Sequence, residues 1–354
     1  MKTTDKKIEL KGFTLAELQD YCISIGEPKF RASQLFNWIY NHICFDFNEM
    51  QNLSKELRGK LDDNCNLRTL NLVTTQNSHS TGTKKFLFET HDKHKIESVL
   101  IPEKERSTLC ISTQVGCPLD CKFCATGLMG YKRNLTAGEV VDQYLLTAKE
   151  NGKEKITNIV YMGMGEPLLN FTTTLKSAEI FTHELTKGLS RTRITVSTSG
   201  IPHKIKELAD SGLRVKLAFS LHSAFEDFRS KIMPINKKYS LKENVEALKY
   251  YSQKTKTRIT FEYTMLKDLN DTDDDVKAIT KLCAKFPSKI NVIPFNSIKH
   301  MNPGGISAEL EPTPYDEILR FVDKLRSNNI TVMVRETQGD DIAAACGQLA
   351  VKMK

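Results

Sequence analysis

The chain has 354 residues, of which 40% are hydrophobic and 27% charged, and its formal net charge is +8 at pH 7. This is the composition of a folded globular protein and excludes a disordered or fibrous chain. The N-terminus has no apolar stretch and no run approaches the roughly 18 apolar residues of a membrane span, so we expect neither a secretory signal nor a membrane protein. The positive excess is compatible with a polyanionic partner without requiring one.

Residues 1–78 carry helical signals. Thr14 followed by Glu17 is a capping box, and an apolar stripe at helical spacing follows it. Two further stripes occur before residue 62, one through Phe36 and one through Leu57. We predict a small helical accessory domain. Its basic residues, Lys29, Arg31, Lys55, Arg58 and Lys60, either contact phosphate or are simply solvated.

Strand signals replace the helical ones after this region. Residues 79–107 predict a linking β-hairpin, with alternating Phe86 and Phe88 in its first strand. Within residues 108–340, strand and helix signals alternate, with strands predicted at 109–115, 156–163, 193–199, 215–222, 258–265, 290–295 and 331–337. The pattern indicates an α/β fold with about six β/α units, which suits a partial (β/α)6 barrel. Chemistry is expected at the carboxyl ends of its strands, and residues 341–354 form a C-terminal tail.

The strongest local signal is a group of three cysteines just after the first predicted barrel strand. Cys117, Cys121 and Cys124 are spaced C-x3-C-x2-C. With nine cysteines and no secretory signal, we expect a reducing cytoplasm, where clustered cysteines bind metal or act in catalysis. A structural zinc site needs four protein ligands, whereas a [4Fe–4S] cluster held by three leaves one iron open.

This triplet, with an aromatic residue before its third cysteine, resembles the signature of radical S-adenosylmethionine (SAM) enzymes. Gly163-Met164-Gly165-Glu166-Pro167 follows the second barrel strand and resembles the motif of that superfamily which binds the SAM amino group. The resemblance implies one [4Fe–4S] cluster whose open iron chelates SAM. An electron from the cluster then generates a 5′-deoxyadenosyl radical.

Further segments narrow the resemblance to the RlmN-type dual-specificity RNA methyltransferases, over nearly the whole chain. They follow the third, fourth and sixth strands and end with Gly339-Asp340-Asp341 and Ala345-Cys346-Gly347. Pro167 and the Gly-Asp-Asp run favour this type over the related Cfr-type enzymes. Ala343 is a departure, because the family carries Asp there. The implied activity is methylation of C2 of adenine in 23S rRNA and tRNA.

The resemblance also implies a mechanism that uses two SAM molecules per turnover. The first methylates Cys346, and the second activates that methyl group to bond to C2. Cys110 then attacks the sulfur of Cys346 while Glu97 removes the C2 proton, which leaves a Cys110–Cys346 disulfide. Cofactor-binding roles fall on Gly165, Glu166, Ser197, Ser220, Leu221, His222 and Asn296.

Three alternatives remain open at this point. The same machinery methylates C8 of adenine in 23S rRNA in Cfr-type enzymes. A radical SAM enzyme for a protein or small molecule would not need the Cys110/Cys346 pair. A zinc-stabilised RNA-binding protein would use Cys346 as a fourth ligand. For the leading hypothesis we expect 23S rRNA and tRNA as partners, an electron donor such as flavodoxin or ferredoxin, no membrane, and a monomer.

Overall fold

The computed structural model describes residues 7–186 and 188–350. Its central feature is a ten-stranded sheet whose strands lie side by side in chain order. We number them β1 to β10: Leu70–Asn77, Lys84–Thr90, Lys95–Pro102, Ser107–Cys110, Asn158–Tyr161, Ile194–Thr198, Lys216–Ser220, Ile259–Met265, Ser288–Pro294 and Val332–Val334. Strands β1 to β4 are antiparallel, whereas β4 to β10 are parallel.

The α-helices of the described residues are α1 to α12: Leu15–Ser24, Phe30–Phe36, Lys55–Asn64, Ala125–Leu128, Ala137–Asn151, Phe171–Thr182, Pro202–Asp210, Glu226–Ile232, Leu241–Thr255, Asp273–Cys283, Ile306–Glu309 and Tyr315–Ser327. Helices α5, α6, α7, α9, α10 and α12 connect successive parallel strands. The predicted α/β fold, a partial barrel of six β/α units, is therefore confirmed. In the parts of the chain that the structure describes, no helix is long and apolar enough to cross a membrane.

Most of the predicted barrel strands are shorter in the structure, and the first and the last of them show this clearly. The strand predicted at 109–115 ends at Cys110, because Gln114–Gly116 turns away and pairs with Tyr131–Asn134 in a separate two-stranded sheet. The strand predicted at 331–337 is observed as β10 alone. The early end of β4 is what frees the cysteine loop to cross the barrel mouth.

The N-terminal segment begins as predicted, with helices α1 to α3. The Thr14 hydroxyl accepts the Glu17 N–H, and the Glu17 carboxylate accepts the Thr14 N–H, so the predicted capping box is confirmed. Strand β1, however, lies in the range predicted to be helical. Most of its residues are exposed and polar, as suits an edge strand, so its sequence gave little periodic signal.

The hairpin formed by β2 and β3 continues the barrel sheet rather than standing apart from it. In its register, Val99 lies opposite both Lys85 and Cys110. Glu97 is two residues before Val99, so it points to the same face as Lys85 and Cys110. On the opposite face, Ser98 Oγ donates to Gln143 of α5. Pairing alone therefore places Glu97 and Cys110 together on the open side of the sheet.

The N-terminal segment is joined to the barrel through a buried ion pair. Lys11 Nζ lies 2.6 Å from an Asp142 oxygen in α5, and both side chains are fully buried. The other Asp142 oxygen accepts the backbone and hydroxyl hydrogens of Thr69. Beside this pair, a Cβ added at Gly12 would lie 2.3 Å from the backbone nitrogen of Gly138, so the two backbones are in direct contact.

We expect Asp142→Ala to lower the free energy of unfolding by about 3–5 kcal/mol, because it leaves the Lys11 ammonium buried without its partner. Urea denaturation followed by circular dichroism measures this loss. The matched control is Asp274→Ala, which breaks an exposed pair with Lys277 and costs less than about 1 kcal/mol. Equal losses in the two variants would contradict this account of the joint.

Candidate active site

The three cysteines of the predicted metal site lie in the loop between Gln114–Gly116 and α4, above the carboxyl end of β4. Burial raises the pKa of Cys117 to about 12 and raises the pKa of both Cys121 and Cys124. The charges of Cys117 and Cys124 act on Cys121, so the three thiols share one site. A buried thiolate cluster of this kind is stable only when a cation is bound to it.

The number of cysteines in the loop fits a cluster better than a structural zinc ion. A structural zinc site is closed by four protein ligands, whereas this loop supplies three thiols, those of Cys117, Cys121 and Cys124. A [4Fe–4S] cluster held by three cysteines keeps one iron free for another ligand. The donor set therefore fits a [4Fe–4S] cluster with three cysteine ligands.

The glycine-rich turn after β5 packs against Gln114, in the short strand that leads into the cysteine loop. Gly165 has φ of +101°, and a Cβ there would lie 2.6 Å from Cβ of Gln114. Glu166 is 2% exposed, and its carboxylate accepts the backbone N–H groups of Ser199 at 2.8 Å and Leu168 at 3.0 Å. Burial raises the Glu166 pKa. Hydrogen bonds from the backbone and side chain of Ser199, the side chain of Thr198 and the backbone of Leu168 oppose this rise and hold the carboxylate in place.

His222 is held in one tautomer at the end of β7. Its Nδ1 accepts the Thr264 N–H at 3.0 Å, so in the neutral ring Nε2 carries the proton. Burial, with a smaller effect of Arg229, lowers the His222 pKa to about 3, so the ring is neutral at physiological pH. The ring lies against Phe123 of the cysteine loop, with centroids 4.4 Å apart. His222 therefore offers a fixed Nε2–H donor beside that loop.

The other predicted cofactor residues also lie at strand ends. Ser197 is the second-last residue of β6, and Ser220 is the last residue of β7. Both are partly exposed. Leu221 is fully buried, its N–H donates to the Glu262 carbonyl, and its own carbonyl accepts hydrogen bonds from Ser223 and Arg229. Asn296, after β9, donates to the backbone oxygen of Cys346 at 3.1 Å. Asn296 therefore connects the predicted cofactor side of the barrel mouth with the C-terminal tail.

Arg229 is a buried cation that the sequence analysis did not identify. Its guanidinium donates to the carbonyl oxygens of Leu221, Ser199 and Ser220, which end neighbouring strands. It is fully buried, and burial lowers its pKa to about 10, while the charge of Cys121 acts in the opposite direction. It thus fixes two strand ends and places a positive charge near the cysteine cluster. No local motif distinguishes it from a surface arginine.

The tail that carries Cys346 is docked onto the first turn after the cysteine loop. Ala125 N–H donates to the Gly347 carbonyl at 2.7 Å, and Thr126 Oγ1 donates to the Leu349 carbonyl at 2.6 Å. Cys346 itself is exposed, and its charge acts on the half-buried Cys124. The structure therefore brings the tail thiol to the predicted cluster site, although 222 positions separate the two in sequence.

A second missed residue, Arg335, lies beside the predicted methyl-carrier thiol and within electrostatic range of the other predicted catalytic thiol. Its Nη1 is 3.8 Å from Cys346 Sγ, and its positive charge also acts on Cys110. Burial raises the pKa of Cys110 to about 12, and Arg335 opposes that shift. Both cysteines are free thiols. Arg335 follows β10 directly, so the rule that chemistry lies at strand ends was the signal that could have found it.

Glu97 lies where the register of the hairpin requires. Its Oε1 is 3.3 Å from Lys85 Nζ, while Oε2 is buried without a hydrogen-bond partner. Burial raises the Glu97 pKa, and Lys85 opposes this rise. Lys85 also donates to the Ala343 carbonyl at 3.3 Å, so the same lysine contacts both Glu97 and the C-terminal tail. Ala343, which departs from the family pattern, has φ of +50°, a conformation that suits Asp or Asn better.

Two protein-family models match the chain. Residues 8–67 match the ribosomal RNA large subunit methyltransferase N-terminal domain, and residues 111–283 match the radical SAM superfamily. The fold agrees: a radical SAM methyltransferase from Sphaerobacter thermophilus is 39% identical, with a TM-score of 0.90 and coverage of 97% of this chain and 99% of that one. The partial barrel with its three-cysteine loop is that of a radical SAM enzyme, which uses a [4Fe–4S] cluster and SAM.

Full-length relatives define the particular family. A "Probable dual-specificity RNA methyltransferase RlmN" from Christiangramia forsetii is 41% identical over 98% of this chain and 97% of its own length. Another with the same description, from Thermotoga neapolitana, is 44% identical over 96% of each chain. The chain belongs to the RlmN family of radical SAM RNA methyltransferases. This favours the leading hypothesis over the Cfr-type alternative and over a zinc protein without catalysis.

Proposed function

We propose that this protein methylates C2 of adenine in 23S rRNA and in tRNA, with Cys346 as the methyl carrier. One observation carries the proposal: Cys346 is docked beside the three-cysteine loop, with Arg335 in contact with its thiol and within electrostatic range of Cys110. A thiol placed so is positioned both to receive a methyl group at the cofactor site and to be attacked by a second thiol. The names of the relatives support RNA as the substrate.

In this proposal Cys117, Cys121 and Cys124 hold the cluster. Glu166 and the backbone at Gly165 hold the SAM amino group, and the remaining contacts come from Ser197, Ser220, Leu221, His222 and Asn296. When bound, these groups supply the methyl group and an organic radical able to abstract a hydrogen atom from it. The neutral His222 ring donates from Nε2, because Nδ1 already accepts the Thr264 N–H.

The protein's own residues carry out the transfer to RNA. Cys346 receives the methyl group on sulfur, and the carried carbon then bonds to C2 of the adenine, which joins RNA to the tail. This adduct must lose one unpaired electron, for which the bound cluster would be the acceptor. Cys110, as the thiolate, then attacks the Cys346 sulfur: the bond between that sulfur and the carried carbon breaks and a Cys110–Cys346 disulfide forms. The carbon leaves with the bonding electron pair and takes up a proton to become the methyl group of the product. Glu97 takes the C2 proton at its unpartnered Oε2. An external reductant then restores both thiols, in keeping with a cytoplasmic setting.

Mass spectrometry of the C-terminal peptide tests the proposal, using protein made in cells with its cluster. We expect Cys346 to carry an added methyl group before any RNA is supplied. Methylation of Cys283, which lies in α10, is not expected and serves as the internal control. An unmodified Cys346, in protein that retains iron and cleaves SAM, would refute the methyl-carrier role.

Arg335→Met is expected to slow methyl transfer to Cys346 by about 10- to 100-fold, because it removes a charged hydrogen-bond donor worth roughly 1.5–3 kcal/mol. The measurement is single-turnover incorporation of label from methyl-labelled SAM into cluster-containing protein. Arg335→Lys keeps the charge without the planar fork and should recover part of the rate. An unchanged rate in the methionine variant would show that the contact at 3.8 Å does not assist the thiol.

The remaining partners follow from the same proposal. The helical N-terminal segment and the rim of the barrel mouth would contact RNA, mainly through phosphates. Flavodoxin or ferredoxin would supply the electron for the cluster. The protein would act as a monomer, because both thiols, the proposed base and the cofactor residues all come from one chain.

A further inference from the structure

A cavity of about 330 Å³ opens at the carboxyl ends of β5 and β6, beside the site described above. Its walls are the starts of α6 and α7, the segment before α9, and Asn134. None of its lining residues has a part in the proposed mechanism. Its volume lies within the range of pockets that bind small ligands or parts of larger ones.

The walls of this cavity combine aromatic rings with cations. The rings of His203 and Tyr239 have centroids 5.7 Å apart. Lys204 Nζ lies 4.8 Å from the ring centroid of Phe171, and Lys238 Nζ lies 5.2 Å from that of Tyr239. None of the described residues that line the cavity carries a carboxylate. Aromatic rings beside cations are the surface on which unpaired bases stack and their phosphates are neutralised.

We propose that this cavity binds one unpaired nucleotide of the RNA substrate, other than the adenosine that is methylated. This inference rests on the proposed function. The base stacks on Tyr239 or Phe171, and its edge meets the amide of Asn134. The phosphate pairs with Lys204. That lysine already contacts Glu207 at 2.7 Å, but this is a partly exposed pair of small energy, which a phosphate can replace.

The location supports an RNA nucleotide over a free metabolite. The cavity is at the same edge of the sheet as Glu166, only two residues before its lining residue Leu168. Leu169 at its rim is 41% exposed, an apolar surface that a base would cover. An enzyme that reaches a base edge must hold the neighbouring strand unstacked, and a second nucleotide pocket beside the active site does this.

Two variants test the pocket in the cluster-containing enzyme. The readout is the dissociation constant for a fluorescein-labelled RNA stem-loop with adenosine in its loop, measured by anisotropy over a range of salt concentrations. We expect Tyr239→Leu to weaken binding about tenfold, the loss of one stacked base. We expect Lys204→Met to weaken binding and to reduce the slope of log K against log salt by about one phosphate contact.

The control is Lys206→Met, which removes an exposed lysine of the same helix that does not line the cavity. Its dissociation constant should stay within twofold of the wild type. Wild-type affinity in both pocket variants, or an equal loss in the control, would overturn the proposal. So would a pocket that binds free adenosine monophosphate while RNA affinity is unaffected. Methylation of Cys346 without RNA is measured in parallel, because its absence from the wild type would count against the proposed function alone.

Discussion

The Cys110→Ala enzyme is expected to accumulate a covalent complex with its RNA and to complete less than one turnover. In the proposed mechanism the bond between Cys346 and the base is broken only when a second thiol attacks the Cys346 sulfur. The structure offers Cys110 for this step, on β4 and within the electrostatic reach of Cys346. Alanine removes that nucleophile and leaves methyl transfer and carbon–carbon bond formation intact.

Denaturing gel electrophoresis with end-labelled RNA detects the trapped complex as a band of reduced mobility. Cys283→Ala is the matched control, because it removes a free, half-buried cysteine from α10, away from the site. The control should release methylated RNA at the wild-type rate. Normal multiple turnover by the Cys110→Ala enzyme would exclude Cys110 as the attacking thiol.

Glu97→Gln should have the second largest effect, a loss of about 10²- to 10⁴-fold in the rate at which methylated RNA is released. Glutamine has nearly the same shape, but it cannot accept the C2 proton. Glu103→Gln, on the exposed turn after the same hairpin, is the control and should leave the rate unchanged. RNA release is measured in a single turnover, so that electron supply does not limit the rate.

The pH dependence of release gives Glu97 a separate signature. The group acts only as a carboxylate, and burial raises its pKa above the ordinary value for glutamate. The rate should therefore fall as pH falls through this raised pKa, at a higher pH than an exposed glutamate would give. The acid limb should be missing in Glu97→Gln. A limb that persists unchanged there would assign it to another group.

Sequence patterns predicted the parts of the fold and site that depend on local spacing. The capping box at Thr14, the order of strands and helices, and the cysteine triplet depend on residues a few positions apart, so their periodicity is readable. Strand β1 was missed because an edge strand need not alternate between apolar and polar residues. The position of β1 in the sheet is set by its pairing with β2, which is a tertiary contact.

The missed site residues have a different cause. Arg229 and Arg335 act through contacts with groups far away in sequence, such as Ser199 and Met162. A buried arginine has the same local sequence context as an exposed one. Family resemblance supplied Glu97, Cys110 and Cys346, but it gave no indication that a guanidinium contacts the Cys346 thiol.

The register of the hairpin also determines where this part of the chain can accept an insertion or a deletion. Glu97 lies on the same face of the sheet as Cys110 only because it is two positions, an even offset, from Val99, the pairing partner of Cys110. A one-residue insertion or deletion between Glu97 and Val99 would turn Glu97 towards α5 and would end activity without unfolding the barrel. The turn at residues 91–94 carries no such restriction. Length variation in this family should therefore be found in that turn and be absent from β3.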